Sequence, residues 1–365
     1  MKILIFGPKV ELGGIETIVL GYAEQLIKNG CECDFLLYKS CTVLEEKIKS
    51  IGGNCIFAAS RRTNYSQYNS DLNDIFKTKY TAVWCNFDGL TNIDLLKRAK
   101  KAGVPLRIVH SHTSALPKVK SYMKVVVPLL HHINKPFIDK YATDFWACSL
   151  KSGHFMYPKK LWRKIRIWNN CINPNIFYEN AQKRAQLRQD FNLDDKLVIG
   201  HIGRICFEKN QYFLLRVYKE FLNRRKDAHL LFLSDAPNDA LVDYAKELGI
   251  VNNVTFLTGK YDLPSLYNAM DVFFLPSIIE GLPLVALEAQ ACGTPCVISN
   301  NVSRECDVSG FVDFLPLETD VTDWCDKLEK ASQANITNPT ECIVSHNYDI
   351  TTEAKKMFDY MKTAK

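Results

Sequence analysis

Glu280 and Glu288 share one stretch, PSIIEGLPLVALEAQACGTPC (276–296), with seven residues between them. Pro283 at a first helical position and Gly293 past the last predict a helix PLVALEAQAC between them. That helix is apolar on nearly every side, so it is expected to be buried. Glu288 lies on one stripe with Leu284 and Ala291. A carboxylate there is costly unless something hydrogen-bonds it. A ligand rich in hydroxyls is the simplest partner, and an ion pair inside the core is the alternative. Just ahead, Gly281 and Leu282 offer N–H groups at a helix start, which suits a phosphate; Pro283 has none.

Three further groups have chemistry to offer. Gly203-Arg204 and Lys209-Asn210 put a fork of donors and a point charge five residues apart, and both can converge on a diphosphate. Two solvated surface cations are the plainer reading. Gly13-Gly14 with Glu16-Thr17 lets backbone approach a ligand at a helix start, or is a simple turn. His110 and His112 in HSHT (110–113) alternate onto one face of a strand end, so one of them can be structural.

The elements that must position these residues repeat. KILIF (2–6), CDFLLY (33–38), AVWCNF (82–87) and LRIVHSH (106–112) read as strands, with helices at 16–29 and 92–102. LVIGHIGR (197–204) restarts the pattern, and Asn210 is expected to cap a helix to about Arg225. AHLLFLS, VTFL, VFFLP and PCVIS follow as strands, with helices at 241–248 and 263–270 between them. This is an α/β chain of two Rossmann-like domains with parallel sheets facing across a cleft. We place the domains at 1–172 and 173–347, with a C-terminal helix (348–365) packing back on the first. Ligands in such sheets bind beyond the carboxyl ends of the strands, where all four groups fall.

Composition narrows the setting. Among 365 residues there are 13 Cys without a C-x-x-C pair, and MKILIF enters a strand rather than a signal-peptide layout. Reduced thiols and a cytoplasmic location are expected. Net charge is +6, but residues 1–170 hold 26 Lys/Arg against 13 Asp/Glu, and the rest is acidic. Lys118, Lys120, Lys124 and Lys135 mix with apolar residues, and YPKKLWRKIR (157–166) adds Trp162, with Trp168 nearby. Cations with interfacial aromatics suit an anionic membrane surface, against the alternative of an ordinary solvated face. No recognition-helix or zinc-finger signature is visible, so nucleic acid is not an expected partner.

GGIET (13–17), His112, GRICFEKN (203–210) and EGLPLVALEAQACGTP (280–295) together resemble, in order and spacing, the family 4 glycosyltransferases of the GT-B fold. The resemblance implies a retaining enzyme that uses a nucleoside-diphosphate sugar, UDP first and guanosine as the other candidate, and no catalytic metal. It implies that Arg204 and Lys209 neutralise the diphosphate, with Gly203 beside them. Glu288 accepts from ribose hydroxyls, and Glu280 meets the transferred sugar, with Gly281 and Leu282 near the distal phosphate. Gly14 approaches the phosphates, His112 rather than His110 lies near the reacting carbon, Glu16 touches the acceptor, and Lys260-Tyr261 pack the base. Asn170-Cys171-Ile172-Asn173 departs from the family's Asn-Gly-Ile-Asp, and Ser234-Asp235-Ala236 from its Gly-Asp-Gly. The expected acceptor is a hydroxyl of a lipid-linked saccharide, reached from the inner face of the membrane. A nucleotide-sugar epimerase or hydrolase on the same fold, or a non-catalytic nucleotide- or polyanion-binding protein, is the alternative.

Overall fold

The computed structural model describes residues 1–7, 14–116 and 123–364. Gly13, Lys118 and Lys120, singled out from the sequence, lie outside them. The chain divides into two compact units. One is Met1–Cys171 with Ile350–Lys365, and the other is Ile172–Asp349, where the sequence placed the breaks at 172/173 and 347/348.

The first unit holds one all-parallel sheet of β1 (Lys2–Phe6), β2 (Glu32–Leu37), β3 (Asn54–Phe57), β4 (Ala82–Phe87), β5 (Leu106–Ser111), β6 (Asp144–Ala147) and β7 (Ile165–Ile167). Their order is β3-β2-β1-β4-β5-β6-β7, so chain direction across the sheet reverses between β1 and β4. Every residue of β4 is buried, which is why it reads as one apolar run. Gly7 leaves β1 at φ +130°, and a Cβ there would stand 2.5 Å from the Asn86 carbonyl oxygen. No other residue fits that turn. Asn86 closes the same junction, its amide donating to the Phe6 carbonyl at 3.1 Å.

The first helix runs Gly14–Lys28, two residues earlier than expected, and stops before Gly30 at φ +83°. The C-terminal helix Ile350–Thr363 belongs to this unit. Its Ile350 packs over Gly21 of the first helix, and its Tyr360 bonds Asp144 and lies 3.9 Å beneath the Arg166 guanidinium. The sequence placed Tyr157 and Trp168 among surface aromatics, and the structure corrects both. Tyr157 is fully buried with its hydroxyl on the Val109 and Trp146 carbonyls, and Trp168 is buried against Trp146 and Tyr360. Proximity to cations in sequence does not set which way a ring points.

The second unit repeats the design with β8 (Leu197–Ile202), β9 (Ala228–Ser234), β10 (Val254–Thr258), β11 (Val272–Leu275), β12 (Cys296–Ser299) and β13 (Val312–Leu315). All are parallel, in the order β10-β9-β8-β11-β12-β13. The reversal falls between β8 and β11. One carboxylate takes both arginines by which the polar helix Ala181–Asp190 is tied to this unit. Asp271 accepts the Val198 amide at 2.7 Å and pairs with Arg184 at 2.5 Å and Arg188 at 3.3 Å. Arg188 is buried, and its other donors reach the Ala269 and Lys196 carbonyls. Asp271→Ala leaves that buried charge unpaired and is expected to cost about 3 kcal/mol. Urea titration of the variant checks this, and an unchanged midpoint refutes it.

Candidate functional site

β8 and β11 are neighbours at the reversal, so the loops leaving their carboxyl ends diverge and open a crevice between them. Three contacts stitch these loops together. The Ile278 amide donates to the Glu208 carbonyl at 2.8 Å, the Asn210 side chain donates to the Pro276 carbonyl at 3.1 Å, and Lys209 meets Glu280 at 2.7 Å. The expectation that Asn210 caps the following helix needs correcting. Gln211–Arg224 is that helix, but Asn210 sits at φ +57° and makes no side-chain cap. Its amide is committed to the other loop.

A cavity of about 530 Å³ lies here, lined by Arg204, Ile205, Cys206, Glu208, Lys209, Asp235, Ile279 and Glu280. Its size falls within the range of ligand pockets, roughly 300–1,000 Å³. Both oxygens of Glu280 are held, one by Lys209 and the other by the Ser277 hydroxyl at 3.0 Å. Arg204 is exposed at the rim. A Cβ on Gly203 would stand 3.3 Å from His201 Nε2 and 3.4 Å from Lys209 Cε, so glycine leaves room for the lysine stem.

Two residues here were missed by sequence reasoning. Asp235 follows β9 and accepts the Ile205 amide at 3.1 Å, pinning the Arg204 loop. It lies in the segment noted as a departure from Gly-Asp-Gly, which nevertheless keeps the Asp. His201 is buried on β8, with Nδ1 at 3.0 Å from the Phe274 carbonyl, so that nitrogen carries the proton. Burial lowers its pKa to about 4. A histidine inside an apolar strand gives no local sign of where its ring will lie.

Glu288 lies apart from the cavity lining. Its helix spans Leu284–Ala291, with Pro283 at the cap rather than at the first turn, and Gly293 follows at φ +81°. As expected, most of that helix is buried. The carboxylate's partner, however, is inside the protein: the Tyr267 hydroxyl donates to Oε2 at 2.7 Å. Burial pushes the Glu288 pKa up to about 7, and the Tyr267 bond only partly offsets it. Gly281 is exposed beside Glu280, its carbonyl taking the Ser303 amide at 3.2 Å, while Leu282 packs its side chain into the unit's core. Lys260 and Tyr261 are exposed after Gly259, at the carboxyl end of β10, and do not line the cavity.

In the first unit, Gly14 opens its helix with no atom of the described residues within 4 Å of its Cβ position, and Glu16 is buried. His110 is a core residue. It is fully buried, accepts the Trp84 indole N–H at 3.3 Å and packs between Trp84 and Trp146. His112 is half-buried at the strand end, 2.8 Å from Asn86 Oδ1. Because the Asn86 amide donates to Phe6, its oxygen accepts, so His112 Nε2 carries the proton. Burial lowers the His112 pKa to about 4, against the opposing charge of Asp88.

Comparison with known proteins agrees with this geometry. The family described as "Glycosyl transferases group 1" matches residues 183–332, which contain all of the cavity residues. The chain is 29% identical to the putative glycosyltransferase EpsF of Bacillus subtilis, over 88% of this chain and 85% of that one. It is 28% identical to the UDP-Gal:alpha-D-GlcNAc-diphosphoundecaprenol alpha-1,3-galactosyltransferase of Escherichia coli, over 66% of this chain and 63% of that one. Its fold matches the crystal structure of Anabaena Alr3699/HepE in complex with UDP and glucose, with a TM-score of 0.78 at 17% identity and full coverage of both chains. The second unit thus carries a group 1 glycosyltransferase domain, and the chain is a glycosyltransferase of the GT-B fold.

Proposed function

We propose that this enzyme moves a hexose or N-acetylhexosamine from a nucleoside-diphosphate sugar, UDP before other bases, to a hydroxyl of a lipid-linked saccharide, with retention of configuration. The observation that carries the reading is the mixed lining of one cavity. Arg204 and Lys209 are donors for a diphosphate, and Glu280 is an acceptor for sugar hydroxyls, all within a single crevice. A site for a bare polyanion has no use for carboxylates among its cations. The Escherichia coli relative is named for a UDP-sugar donor and a polyprenyl-diphosphate acceptor, which supports both ends of the proposal.

In this reading Arg204 and Lys209 stabilise charge on the departing nucleoside diphosphate, so no metal is called for. Glu280, oriented by Ser277, positions the transferred sugar, with the Gly281 and Leu282 amides nearby. Glu288 receives ribose hydroxyls on the side that Tyr267 leaves open. Gly14 approaches the phosphates, His112 attends the reacting sugar, Glu16 the acceptor, and Lys260 with Tyr261 the base. The basic first half favours a peripheral station on the inner face of an anionic membrane.

Arg204→Ala and Lys209→Ala are each expected to lower kcat by about 10²-fold or more, the usual loss for one preorganised charge. Glu288→Ala is expected to act mainly through the donor KM. Steady-state kinetics over a donor panel, with product analysis to detect epimerised sugar, decides this; wild-type constants in all three variants would sink the assignment. Activity is also expected to persist in EDTA, and its complete loss there would show that the reaction depends on a metal.

Glu288 gives a pH dependence. Its carboxyl titrates near 7 when folded and near 4.3 in an unfolded chain, so unfolding releases a proton between those values. Stability therefore falls as pH rises through that window, by about 3 kcal/mol at its end. Glu288→Gln keeps an acceptor for Tyr267 without the charge. Nucleotide-free variant and wild type are expected to unfold alike near pH 4.5, with the variant the more stable at about pH 8. Equal urea midpoints at the higher pH would contradict the buried, uncompensated carboxyl.

A further inference from the structure

His201 stands near the end of β8, two residues before Gly203 and at the base of the loop that carries Arg204 and Lys209. It is fully buried, and its ring packs on Phe232 of the neighbouring strand with centroids 5.0 Å apart. Nδ1 donates to the Phe274 carbonyl, so the neutral ring keeps a lone pair on Nε2. Among the described residues nothing donates to that lone pair. A buried acceptor without a donor is costly, and native proteins keep few of them.

This lone pair borders the lysine of the donor crevice. A Cβ on Gly203 would meet His201 Nε2 at 3.3 Å, Lys209 Cε at 3.4 Å and Lys209 Cδ at 3.5 Å. The ring nitrogen and the lysine stem therefore share the one space that glycine leaves open. The ammonium at the end of that stem has three N–H donors, and Glu280 takes one of them. Burial first, and the charge of Lys209 in addition, bring the imidazole pKa down to about 4, against the opposing bond to Phe274. At neutral pH the lysine thus has a lone pair beside it and not a second cation. A ring turned the other way would put its N–H towards the lysine, and the Phe274 carbonyl is what prevents that turn.

We propose that His201 is a positioning residue for Lys209. Its Nε2 accepts from the ammonium and holds it above Gly203 when the sugar draws on Glu280 and the diphosphate draws on the lysine. The three N–H groups then meet Glu280, His201 and a phosphate oxygen, and none is left over. The inference rests on the reading of Lys209 as a diphosphate ligand, and its test can fail separately from that reading.

The test is calorimetry of the full chain with UDP, and with GDP should UDP not bind. His201→Asn keeps a donor near the place of Nδ1 for the Phe274 carbonyl but has nothing at the place of Nε2. His201→Gln carries its amide out to the place of Nε2. Asn is expected to weaken nucleotide binding about tenfold, as for one hydrogen bond to a charged group, and Gln about twofold at most. A ring that serves only the Phe274 carbonyl gives the reverse order, and that order overturns the proposal. Beside Lys209→Met the effect of Asn is expected to vanish, because the group that His201 positions is gone; an undiminished effect there also overturns it. Urea midpoints show which variants are folded, and His201→Phe, apolar and of similar size, replaces Asn in both arms should Asn not fold. If Lys209→Met alone binds nucleotide like wild type, or wild type binds neither nucleotide, the diphosphate reading fails and this inference with it. If Lys209→Met weakens binding and His201→Asn does not, the lysine keeps its role and His201 loses the one proposed.

Discussion

The Lys209–Glu280 ion pair is the contact around which the site is organised. It closes the gap between two loops that diverge because strand order reverses between β8 and β11. Exposed pairs of this kind add little stability, and this one is only partly shielded. Its value is positional. Each partner is anchored from behind, Glu280 by Ser277 and the Lys209 loop by Asn210 reaching Pro276, so the charges are fixed relative to the sheet and not merely to each other. Gly203 and Asp235 serve the same end, one by leaving room for the lysine stem and the other by tying down the Arg204 loop.

The pair also sets the electrical character of the cavity. Glu280 balances Lys209, so Arg204 is the cation at the rim that no acid among the described residues meets in an ion pair. In the proposed reading, a diphosphate arriving there meets Arg204 first. Lys209 can then be shared between phosphate and Glu280, while the carboxylate keeps lone pairs for sugar hydroxyls. A sugar nucleotide offers acceptors at one end and donors at the other, and this lining matches it in kind.

Much of this was legible in sequence because buried parallel strands have to be apolar throughout. KILIF, AVWCNF, VFFL and CVIS announce the middles of the two sheets. The short strands Asn54–Phe57, Asp144–Ala147, Ile165–Ile167 and Val312–Leu315 do not, being three or four residues long, three of them at sheet edges and several only half-buried. Arg204, Lys209 and Glu280 were found together because each stands in a motif on a loop at the carboxyl end of a strand, where ligands of such sheets bind. Tyr267 was not, since it reaches Glu288 from a helix 21 positions earlier, and no local spacing records such a meeting. Trp168 was misplaced for the same reason: its burial depends on Trp146 and on Tyr360 of the C-terminal helix.

Glu288 shows what a buried carboxyl gains from having one internal partner rather than none or two. Tyr267 satisfies Oε2, so the helix Leu284–Ala291 can carry the group through the core without a broken hydrogen bond. A single neutral donor does not offset the loss of water, which is why the pKa stays near 7. Further hydroxyl donors, such as those of a ribose, would favour the ionised form and repay part of that desolvation. The cost built into the empty helix is thus a source of preference for a ligand with hydroxyls over one without. Tyr267 keeps the cost bearable, and the remaining lone pairs keep it useful.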